Sequence, residues 1–447
     1  MSCESHNATA PSPAIAPGSE AIDAFEVAKL IGQRGVDSRI SALIPGFDAP
    51  FFQAGLAGYS DAAMRIVARR HGCPLCITEA LLDRTLLAGG RGFDKADLGE
   101  LHDNVPGGPE DHPLVGQIMG SEPAEMAAAA VKMVEQKVRT DREYRVLAAQ
   151  MALREAGTEG GEHGVLRQHL RTAGGEQVGI WPVDDKFAAE ELSSDGLPRE
   201  SEVIAPASFQ AIDVNLACPV KKIERKSRGG HWLTEPKGAI RILEAVREAV
   251  PSRIACTVKM RRSFDDTPEM VENFEVIFAA LRSIGYAWAT VHARTVEQRY
   301  IGPSRWTFLR DLVARYPDNV IFGSGDIWNV NDIFRMIAYT GVHAVSVARG
   351  CIGNPWIFAQ ARGMMAGERP IPPTIAQQRA ALQSHFDLSL AVTRRFKHGE
   401  EATSKMMRKF GIKFAHHHPR GDEIKRKMIG VESAEDWRRT IEEFYYQ

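Results

Sequence analysis

The sequence AIDVNLACPVKKIERKSRGGHWL (residues 211–233) decides how the rest of the chain is interpreted. Its first six residues, Ala211–Leu216, alternate in polarity and contain β-branched side chains, which predicts a buried strand. Pro219 lacks an N–H group and cannot continue a ladder, so the chain must turn there. Cys218 is therefore left at the carboxyl end of the strand, and the glycine pair at 229–230 permits a tight turn further on.

A cysteine at the end of a strand has two interpretations. A single cysteine in such a place is more often a small buried hydrophobe than a catalyst. Four basic residues follow it closely, and they can lower the pKa of a thiol, hold phosphates or form a solvated loop. These residues are Lys221, Lys222, Arg225 and Lys226. The arrangement of the rest of the chain must choose between the two interpretations.

Short apolar strands followed by helices recur along the chain. Strands are predicted at 51–54, 75–78, 114–119, 211–216, 254–259, 288–292, 320–322 and 344–347. Helices are predicted at 61–71, from 123, and at 236–249, 268–284, 306–315, 330–339 and after 355. Eight strands that alternate with helices predict an α/β fold in which a parallel sheet closes as a (β/α)8 TIM barrel.

The remaining regions differ in composition from the barrel. Residues 1–45 are predicted as a tail followed by a short helix at 24–31, which Gly32 would end. The barrel is assigned to residues 46–365, with an insertion at about 138–207 after the third βα unit that is helical up to Glu155. Residues 366–447 are predicted as an all-helical C-terminal domain.

Length, charge and cysteine content exclude several classes of protein. The 447 residues carry a net charge of −2, so any surface for nucleic acid must be local. Six cysteines are too few for a secreted disulfide scaffold, and no apolar run is long enough to span a membrane. There is no basic region followed by an apolar core at the N-terminus, so we expect a cytoplasmic protein, and a monomer.

Polar residues follow six of the predicted strands at their carboxyl ends, where the active site of a (β/α)8 barrel lies. They are Gln117, Asn215 with Cys218, Lys259 with Arg261, His292 with Arg294, Ser324 with Asp326, and Arg349. The loops GSGD (323–326) and ARG (348–350) follow the seventh and eighth strands. Glycine-containing loops at these two places commonly bind phosphate, which predicts a phosphate-bearing cofactor.

Seven motifs in one order make the pattern specific. They are AGLAGYSDAAMR (54–65), GQIMGSEPAEMAAAA (116–130), IDVNLACPVKK (212–222), VKMR (258–261), VHARTVEQRYIG (291–302), SGDI (324–327) and ARGCIGNPWIF (348–358). Together they resemble the tRNA-dihydrouridine synthases, flavin enzymes that reduce uridine in tRNA. The helical segment at 408–429 resembles the RNA-binding helices of that family more loosely.

The resemblance implies a role for each matching residue. Gly55, Leu56 and Ala57 would lie beside the flavin ring, Gln117 and Lys259 would hydrogen-bond its polar edge, and His292 would also lie at the flavin. Ser324, Gly325, Asp326, Ala348 and Arg349 would bind the ribityl chain and phosphate of FMN. Asn215 and Arg261 would orient the uracil, and Cys218 would be the general acid, with NADPH as the reductant. No residue is predicted to bind a metal.

The chain departs from the family pattern at four places. Ala217 stands where the family usually has Gly before the cysteine, and Ala293 stands for the Gly between His and Arg. Ser324 replaces an Asn, and Gly55-Leu56 replaces a Pro-Met pair. None of these changes removes the acid or the phosphate site.

Weaker signals have ordinary explanations. Cys73 and Cys76 have the spacing of half a zinc site, but no second pair exists, so a structural role is favoured. His416–His418 are predicted to form a solvated basic loop. Between residues 394 and 427, eleven Lys or Arg stand against four Asp or Glu, which is typical of a solvated helical face or of contacts with tRNA phosphates.

Three functions follow from these observations. The leading one is reduction of the C5–C6 double bond of uridine in tRNA by an FMN- and NADPH-dependent enzyme. The second is a flavin barrel that acts on a free small molecule, which would need no basic helical domain. The third is a tRNA-binding paralogue without turnover, against which the presence of Cys218 and Lys259 argues.

Overall fold

The computed structural model describes residues 16, 18–88, 109–135, 141–155, 209–219, 229–394 and 399–446. Within these residues, nine parallel strands form one sheet. They are β1 (Phe51–Gln53), β2 (Cys76–Ile77), β3 (Leu81–Leu82), β4 (Leu114–Met119), β5 (Ala211–Leu216), β6 (Ala255–Arg261), β7 (Trp288–His292), β8 (Ile321–Ser324) and β9 (Ala344–Val347). The order is β2-β1-β9-β8-β7-β6-β5-β4-β3, and β2 also pairs with β4, so the sheet closes.

The nine strands fill eight positions around the barrel. Strand β2 pairs with Leu114 and Val115 of β4, and β3 pairs with Ile118 and Met119 of the same strand. The second strand position is therefore interrupted between Ile77 and Leu81, and β3 was not predicted. The (β/α)8 prediction is confirmed. Strands β6 and β8 run two residues further than predicted, so Arg261 and Ser324 lie within strands.

Fifteen α-helices are described over the same residues. They are α1 (Ala24–Arg34), α2 (Ser38–Leu43), α3 (Ala62–Arg70), α4 (Asp83–Leu87), α5 (Pro123–Glu135), α6 (Asp141–Glu155), α7 (Pro236–Ala249), α8 (Pro268–Ile284), α9 (Trp306–Arg315), α10 (Val330–Thr340), α11 (Trp356–Met365), α12 (Ile375–Arg394), α13 (Gly399–Phe414), α14 (Gly421–Ile429) and α15 (Ala434–Tyr445). Proline begins three of them at the first turn, where its missing N–H is tolerated.

The prediction that Gly32 ends the first helix is wrong. Helix α1 continues to Arg34, and Gly35, with φ of +75°, follows it. A Cβ atom at position 32 would overlap the backbone carbonyl of Met365 at the end of α11. Gly32 therefore allows two helices to approach closely, which a sequence pattern does not distinguish from a helix stop.

One end of the barrel interior is closed by apolar side chains. Phe47 follows α2, and its ring lies 6.0 Å from that of Phe52 and 5.9 Å from that of Phe322, both edge to face. Ile40 and Ile44 belong to the same buried cluster as these rings. The N-terminal segment thus covers the amino end of the strands, and over the described residues the carboxyl end is the open end of the interior.

The C-terminal residues are helical, as predicted, and they pack on the barrel. Helix α12 contacts α3, the ring of Phe410 lies 5.6 Å from that of Tyr59, and Phe414 lies 5.5 Å from Trp356. The domain boundaries at 45 and 365 stay predictions. Of the described helices, none is long and apolar enough to cross a membrane.

The prediction of a solvated basic loop at His416–His418 holds for His416 and is wrong for the other two residues. The ring of the half-buried His417 lies 5.1 Å from that of Trp356. The ring of His418 is buried, its Nδ1 accepts a hydrogen bond from the Arg420 N–H, and its Nε2 lies 3.0 Å from the Phe444 carbonyl oxygen. Helix α15 covers this side chain, while His416 is exposed. Packing by a helix distant in sequence was not visible in the local pattern.

Two predicted regions are only partly described. Helix α6 supports the prediction of helix up to Glu155, and the Tyr144 hydroxyl donates to Glu135 of α5 at 2.8 Å. The rest of the proposed insertion, residues 138–140 and 156–207, lies outside the described residues. So does the basic run Lys221, Lys222, Arg225 and Lys226.

Cys73 and Cys76 are buried with their Sγ atoms 3.9 Å apart. Both belong to the apolar core between strands and helices. Over the described residues, no cluster of three or more His, Cys, Asp or Glu side chains is placed to hold a metal ion. These observations agree with a packing role for the two cysteines.

Candidate active site

Polarity inside the barrel rises from the amino end of the strands to the carboxyl end. Residues two apart on a strand share a face, so Ala211, Asp213 and Asn215 of β5 point to one side. Ala211 belongs to the apolar cluster at the closed end. Asp213 pairs in register with Thr257 of β6, and Asn215 pairs with Lys259. The same inward row of each strand thus changes from apolar to polar towards the open end.

A buried hydrogen-bond network centred on Asp213 lies in the middle of the barrel. The Gln117 Nε2 donates to Asp213 Oδ2 at 2.7 Å, and the Thr257 hydroxyl donates to Oδ1 at 2.7 Å. The Asn215 Nδ2 donates to Gln117 Oε1 at 2.7 Å. These contacts fix the orientation of both amide side chains, because each amide oxygen and nitrogen has a defined partner.

Burial shifts the pKa values of the charged pair in this network. Burial raises the pKa of Asp213 to about 6, against the hydrogen bonds from Thr257 and Gln117 and the charge of Lys259. Burial lowers the pKa of Lys259, while the charge of Asp213 opposes that shift. A carboxylate below the half-buried ammonium therefore helps to keep it positive at the mouth.

The backbone around Cys218 is fixed by Asn215. The Asn215 Oδ1 accepts hydrogen bonds from the backbone N–H of Ala217 at 2.9 Å and of Cys218 at 3.1 Å. This is a local turn in which a side-chain oxygen replaces a backbone acceptor. The strand consequently ends at Leu216, and the half-buried Cys218 begins the loop that follows.

The glycine pair that was predicted to permit a tight turn lies against Cys218. The backbone N–H of Gly230 donates to the Cys218 carbonyl at 3.1 Å. Gly229 has φ of +58°, and a Cβ atom there would lie 2.8 Å from the Cys218 Cβ. Glycine is required at 229 both by its conformation and by the nearness of the cysteine.

Arg261 connects the loops after β5 and β7. Its Nε donates to the Ala217 carbonyl at 3.0 Å, and its Nη1 donates to the carbonyls of Thr295 at 2.7 Å and Arg299 at 2.8 Å. Burial lowers its pKa to about 10. The side chain predicted to orient uracil is thus also a support for the cysteine loop.

The loop after β8 has an unusual backbone conformation. Gly325 has φ of +119° and Asp326 has φ of +57°, which is uncommon for a residue with a side chain. The Asp326 carboxylate accepts hydrogen bonds from the Arg294 Nη2 at 2.7 Å and from the Ser304 N–H at 2.7 Å. The Trp306 indole N–H donates to the Gly325 carbonyl at 3.0 Å. These contacts hold the loop in its strained conformation.

The two glycine-containing loops meet. A Cβ atom at Gly350 would overlap the Ile327 carbonyl, so the loop after β9 lies directly against the loop after β8. The Arg349 guanidinium lies over the rings of Tyr300, at 4.8 Å, and Trp328, at 4.5 Å. Burial lowers the pKa of Arg349. Ala348, which precedes it, is half-buried.

Four buried polar atoms at or beside these loops have no hydrogen-bond partner in the described part of the chain. They are the Ser304 Oγ, the Ser324 Oγ, the Ser346 Oγ and the Arg294 Nη1. Ser324 and Ser346 are in register on β8 and β9, and a Cβ atom at Gly325 would overlap the Ser304 Oγ. Buried polar groups are normally paired, so four at one place indicate a polar ligand or ordered water.

His292 completes the positive mouth of the barrel. Its Nδ1 accepts a hydrogen bond from the Arg294 N–H at 3.2 Å, so the neutral ring carries its proton on Nε2. Burial, followed by the charges of Arg261 and Lys259, holds the pKa of His292 well below its ordinary value. The ring is therefore a neutral hydrogen-bond donor.

The first loop of the barrel approaches the same network. A Cβ atom at Gly55 would overlap the Thr78 carbonyl and lie 3.4 Å from the Gln117 Oε1. The Leu56 N–H donates to the Ser60 hydroxyl at 2.8 Å. Gly55 and Leu56 are half-buried and Ala57 is exposed. The structure thus brings the first, third, fourth, fifth, sixth, seventh and eighth predicted strand ends to one mouth.

The sequence analysis missed Asp213, Thr257 and Ser346. It named residues close to or just beyond the carboxyl ends of the predicted strands and passed over these three, which lie within β5, β6 and β9. The signal was available, because they continue the inward row that contains Asn215, Lys259 and Ala344.

The chain was compared with known protein families and proteins. The family model described as dihydrouridine synthase (Dus) matches residues 199–443, more than half of the chain. A probable tRNA-dihydrouridine synthase of Mycobacterium leprae is 30% identical over 228 residues, which cover 50% of this chain and 57% of that protein. A tRNA-dihydrouridine(16) synthase of Ralstonia nicotianae is 36% identical over 173 residues, covering 38% and 51%. The chain spans about half the length of these curated relatives.

Solved structures are more distant. TcOYE with pHBA aligns with a TM-score of 0.38 and 14% sequence identity, covering 72% of this chain and 91% of that one. Histamine dehydrogenase from Rhizobium sp. 4-9 aligns with a TM-score of 0.43 and 11% identity, covering 82% and 51%. Both scores are too low to support a statement about this chain.

The family match includes the chemically distinctive part of the molecule. It begins before β5, contains Cys218 and the loops that carry Asp326 and Arg349, and ends within α15. The part of the barrel mouth formed by β5 to β9 and the helical region therefore fall within one matched segment, whereas Gly55 and Gln117 precede it. This chain belongs to the dihydrouridine synthase family.

Proposed function

We propose that this protein is a tRNA-dihydrouridine synthase, which reduces the C5–C6 double bond of a uridine in tRNA with FMN and NADPH. The observation that carries the proposal is the half-buried thiol of Cys218, held at a polar barrel mouth by Asn215 and Arg261. When bound, FMN supplies the hydride for one carbon of the double bond and is reduced again by NADPH. The Cys218 thiol donates the proton to the other carbon.

Lys259 and Gln117 would hold the polar edge of the flavin ring. The half-buried Lys259 ammonium brings positive charge to the mouth, and Asp213 beneath it favours the charged form. A fixed cation stabilises negative charge that develops nearby, and it does so most strongly where water is excluded. His292 adds a neutral N–H donor on the adjoining strand.

The residues at the carboxyl ends of β7, β8 and β9 fit a phosphate group. The Ser324 and Ser346 hydroxyls and the Arg294 Nη1 are buried without protein partners within the described residues. Arg349 adds a guanidinium that can bind phosphate in a bidentate manner. Asp326 would act on the shape of this loop, since its carboxylate is already occupied by Arg294 and Ser304.

Asn215 and Arg261 would face the uracil from the loop that carries the acid. Both side chains also support Cys218, so the geometry couples the position of the base to the position of the thiol. The buried Ala217 in this loop takes part in both sets of contacts, which its backbone makes. Its methyl group in place of the usual Gly hydrogen is therefore compatible with the arrangement.

The basic helical region would bind the tRNA backbone. Burial of part of the Lys413 side chain on α13, followed by the charges of Lys425 and Arg349, lowers the pKa of this lysine. Positive charge therefore continues from the helices to the barrel mouth. Part of the basic excess is neutralised locally, because Lys427 pairs with Glu443 at 3.1 Å. A tRNA substrate agrees with the cytoplasmic location expected from the sequence, which stays a prediction.

Two measurements test the function. The purified protein should show the absorption bands of oxidised flavin, and NADPH under anaerobic conditions should bleach them. Addition of unmodified tRNA should then restore the bands, and mass analysis of that tRNA should show a gain of two hydrogen atoms at a uridine. Flavin without tRNA turnover would favour the small-molecule enzyme or the inactive paralogue, and absence of flavin would overturn the proposal.

A matched pair of arginine variants tests the phosphate site. Arg349→Ala should weaken FMN binding by about 1.5–3 kcal/mol, the range for charge-assisted hydrogen bonds. The control is Arg310→Ala, which removes an exposed arginine that also lies over an aromatic ring, Tyr339, at 5.7 Å. Titration of the two apoproteins with FMN measures the difference. Equal FMN affinity in both variants would contradict the assignment of Arg349.

A further inference from the structure

The interruption in the second strand position places a carboxylate beside the first loop of the barrel. Glu79 lies between β2 and β3, where the ladder with β4 is broken. Its Oε2 accepts a hydrogen bond from the Gly58 N–H at 2.7 Å. Gly58 has φ of +73° and is the third residue of a turn that the hydrogen bond from the Tyr59 N–H to the Leu56 carbonyl closes, a position that favours glycine.

A lysine from the helical region holds the same residue from the other side. The Lys409 Nζ of α13 donates to the Gly58 carbonyl, and it also lies 4.9 Å from the ring centres of Tyr59 and Phe410. The N–H and C=O of Gly58 are thus held by Glu79 of the barrel and Lys409 of the helices. The two side chains are close enough for the charge of Lys409 to lower the pKa of Glu79.

The loop that these two residues hold contains part of the proposed cofactor site. Gly55, Leu56 and Ala57 precede Gly58, and Gly55 lies against Thr78 and Gln117. On the inner side, the Ser60 hydroxyl accepts from the Leu56 N–H, and Arg65 donates to the Ser60 carbonyl at 2.7 Å. The inner contacts come from the barrel itself, whereas the outer contact requires α13.

We propose that Glu79 and Lys409 are a positioning pair that sets the conformation of residues 55–58, so that the helical region completes the cofactor face of the barrel. This inference rests on the proposed function for the nature of the cofactor, but the loop contacts stand without it. Neither residue touches the reacting atoms. Their effect is transmitted through the backbone of Gly58.

Several titratable groups surround Glu79 and Lys409 and affect the pKa of Glu79. Burial raises the pKa of Glu79 to about 7; the hydrogen bond from Gly58 opposes this shift, Asp61 of the loop raises the pKa further, and Lys409 and Arg65 lower it. On α12, burial lowers the pKa of His385 to about 4, so this ring is neutral near pH 7. Removal of the Lys409 charge should therefore move the titration of Glu79 to higher pH.

The test compares Lys409→Met with Lys405→Met in the full-length protein. Lys405 is exposed one turn earlier on the same helix and serves as the matched control. Hydrogen exchange of residues 55–60 should become about tenfold faster in Lys409→Met, as expected for loss of one charge-assisted hydrogen bond. Exchange in β5 and β6 is the internal measure of folding. Unchanged exchange at 55–60, with folding intact, would overturn the proposal.

Two further measurements separate positioning from simple packing. Carbon-detected NMR of Glu79 should give a titration midpoint at higher pH in Lys409→Met and an unchanged one in Lys405→Met, an effect that loss of packing alone would not produce. Lys409→Arg, which keeps the charge and a donor, should restore slow exchange. If Lys409→Arg behaves as Lys409→Met, the charge does not position the loop and the proposal fails.

Titration of the same variants with FMN connects the loop contact to the proposed function. In apoprotein titrations, FMN should bind about tenfold more weakly to Lys409→Met than to Lys405→Met. Exchange and NMR results as expected with no FMN binding by any variant would overturn the proposed function and leave the loop contact intact. FMN binding by all variants with equal affinity would overturn the inference and leave the proposed function intact.

Discussion

The closed and open ends of the barrel interior are built from the same strands but by opposite rules. At the closed end, Phe322 of β8 stacks on Trp288 at 5.0 Å and packs on Phe52 at 5.5 Å. Two residues further along β8, Ser324 is equally buried but its hydroxyl has no partner among the described residues. Two residues along one strand thus separate the well-packed ring of Phe322 from the unpaired hydroxyl of Ser324.

This difference teaches which end has been shaped by stability and which by function. A buried polar atom without a hydrogen-bond partner destabilises a fold by about 1–3 kcal/mol. The closed end contains apolar contacts that stabilise the barrel, whereas the open end contains polar groups that need a ligand. Substitutions at the two ends should therefore separate stability from binding and turnover.

The largest effect is expected at the open end, on turnover alone. Cys218→Ala should keep FMN and its reduction by NADPH, because hydride transfer into the flavin does not use the thiol. Reduction of uridine should fall by roughly 10²–10⁴-fold, the range for loss of a positioned acid. The measurement is anaerobic reduction of the variant's flavin, followed by addition of unmodified tRNA and recording of flavin reoxidation.

Cys218→Ser provides the comparison, since its hydroxyl is a much weaker acid in the same place. It should react more slowly than the wild type while keeping the backbone contacts that Asn215 makes. Reoxidation at the wild-type rate in Cys218→Ala would mean that the cysteine is only a small buried side chain. The interpretation of the strand-end cysteine as a structural residue would then be correct.

The next effect concerns the closed end and stability alone. Phe322→Ala removes a fully buried ring that contacts Phe47, Phe52 and Trp288, and it should lower the free energy of unfolding by about 3–5 kcal/mol. Urea unfolding followed by circular dichroism measures it. Below the unfolding transition, the variant should retain its FMN affinity. A loss of FMN affinity in the folded variant would show that the two ends are not separable.

Asp213 lies between the two ends and should make stability depend on pH. Its folded-state pKa of about 6 lies above the ordinary value of 3.8, so its contribution is present below pH 4 and is lost as pH rises through 6. A shift of this size corresponds to about 3 kcal/mol. Asp213→Asn does not titrate, so its stability relative to wild type should improve between pH 4 and pH 7.

Asp311→Asn, at an exposed position on α9, is the control for that prediction. Urea unfolding at pH 4, 5, 6 and 7 should give a difference from wild type that changes with pH for Asp213→Asn and stays constant for the control. A constant difference in both variants would mean that Asp213 keeps an ordinary pKa in the folded protein. The buried network around Gln117 would then have more access to water than its contacts indicate.

The fold was largely predictable because its signals are local and repeated. Strand Ala211–Leu216 and helix Pro236–Ala249 have the predicted bounds, since alternation and a proline at the first helical turn are both local properties. Gly32 and His418 were misread because contacts with distant helices decide their roles. The interruption at Glu79 had no sequence signal at all, because it depends on pairing with β4.

The site was predictable only at its rim. Strand-end residues such as Asn215 and Arg261 were found from their position and from the family resemblance. Their supporting contacts were not found, because many of them are made to backbone carbonyls such as that of Thr295. Every residue has such a group, so the sequence does not indicate which one a side chain will contact. The same limit hid Lys409, which acts on Gly58 through a carbonyl group more than 300 residues away in the chain.

The smallest effect is expected where the two ends differ most sharply, at Ser324. Ser324→Ala removes a buried hydroxyl that has no protein partner in the described residues. The free energy of unfolding of the apoprotein should therefore fall by less than about 1 kcal/mol, or it should rise. FMN should bind about three- to tenfold more weakly, because one neutral hydrogen bond to the cofactor is lost. Urea unfolding without FMN and titration with FMN measure the two quantities separately. A variant destabilised by 2 kcal/mol or more, with unchanged FMN affinity, would show that Ser324 serves the barrel. The contrast with Phe322, two residues earlier on the same inward row, would then disappear.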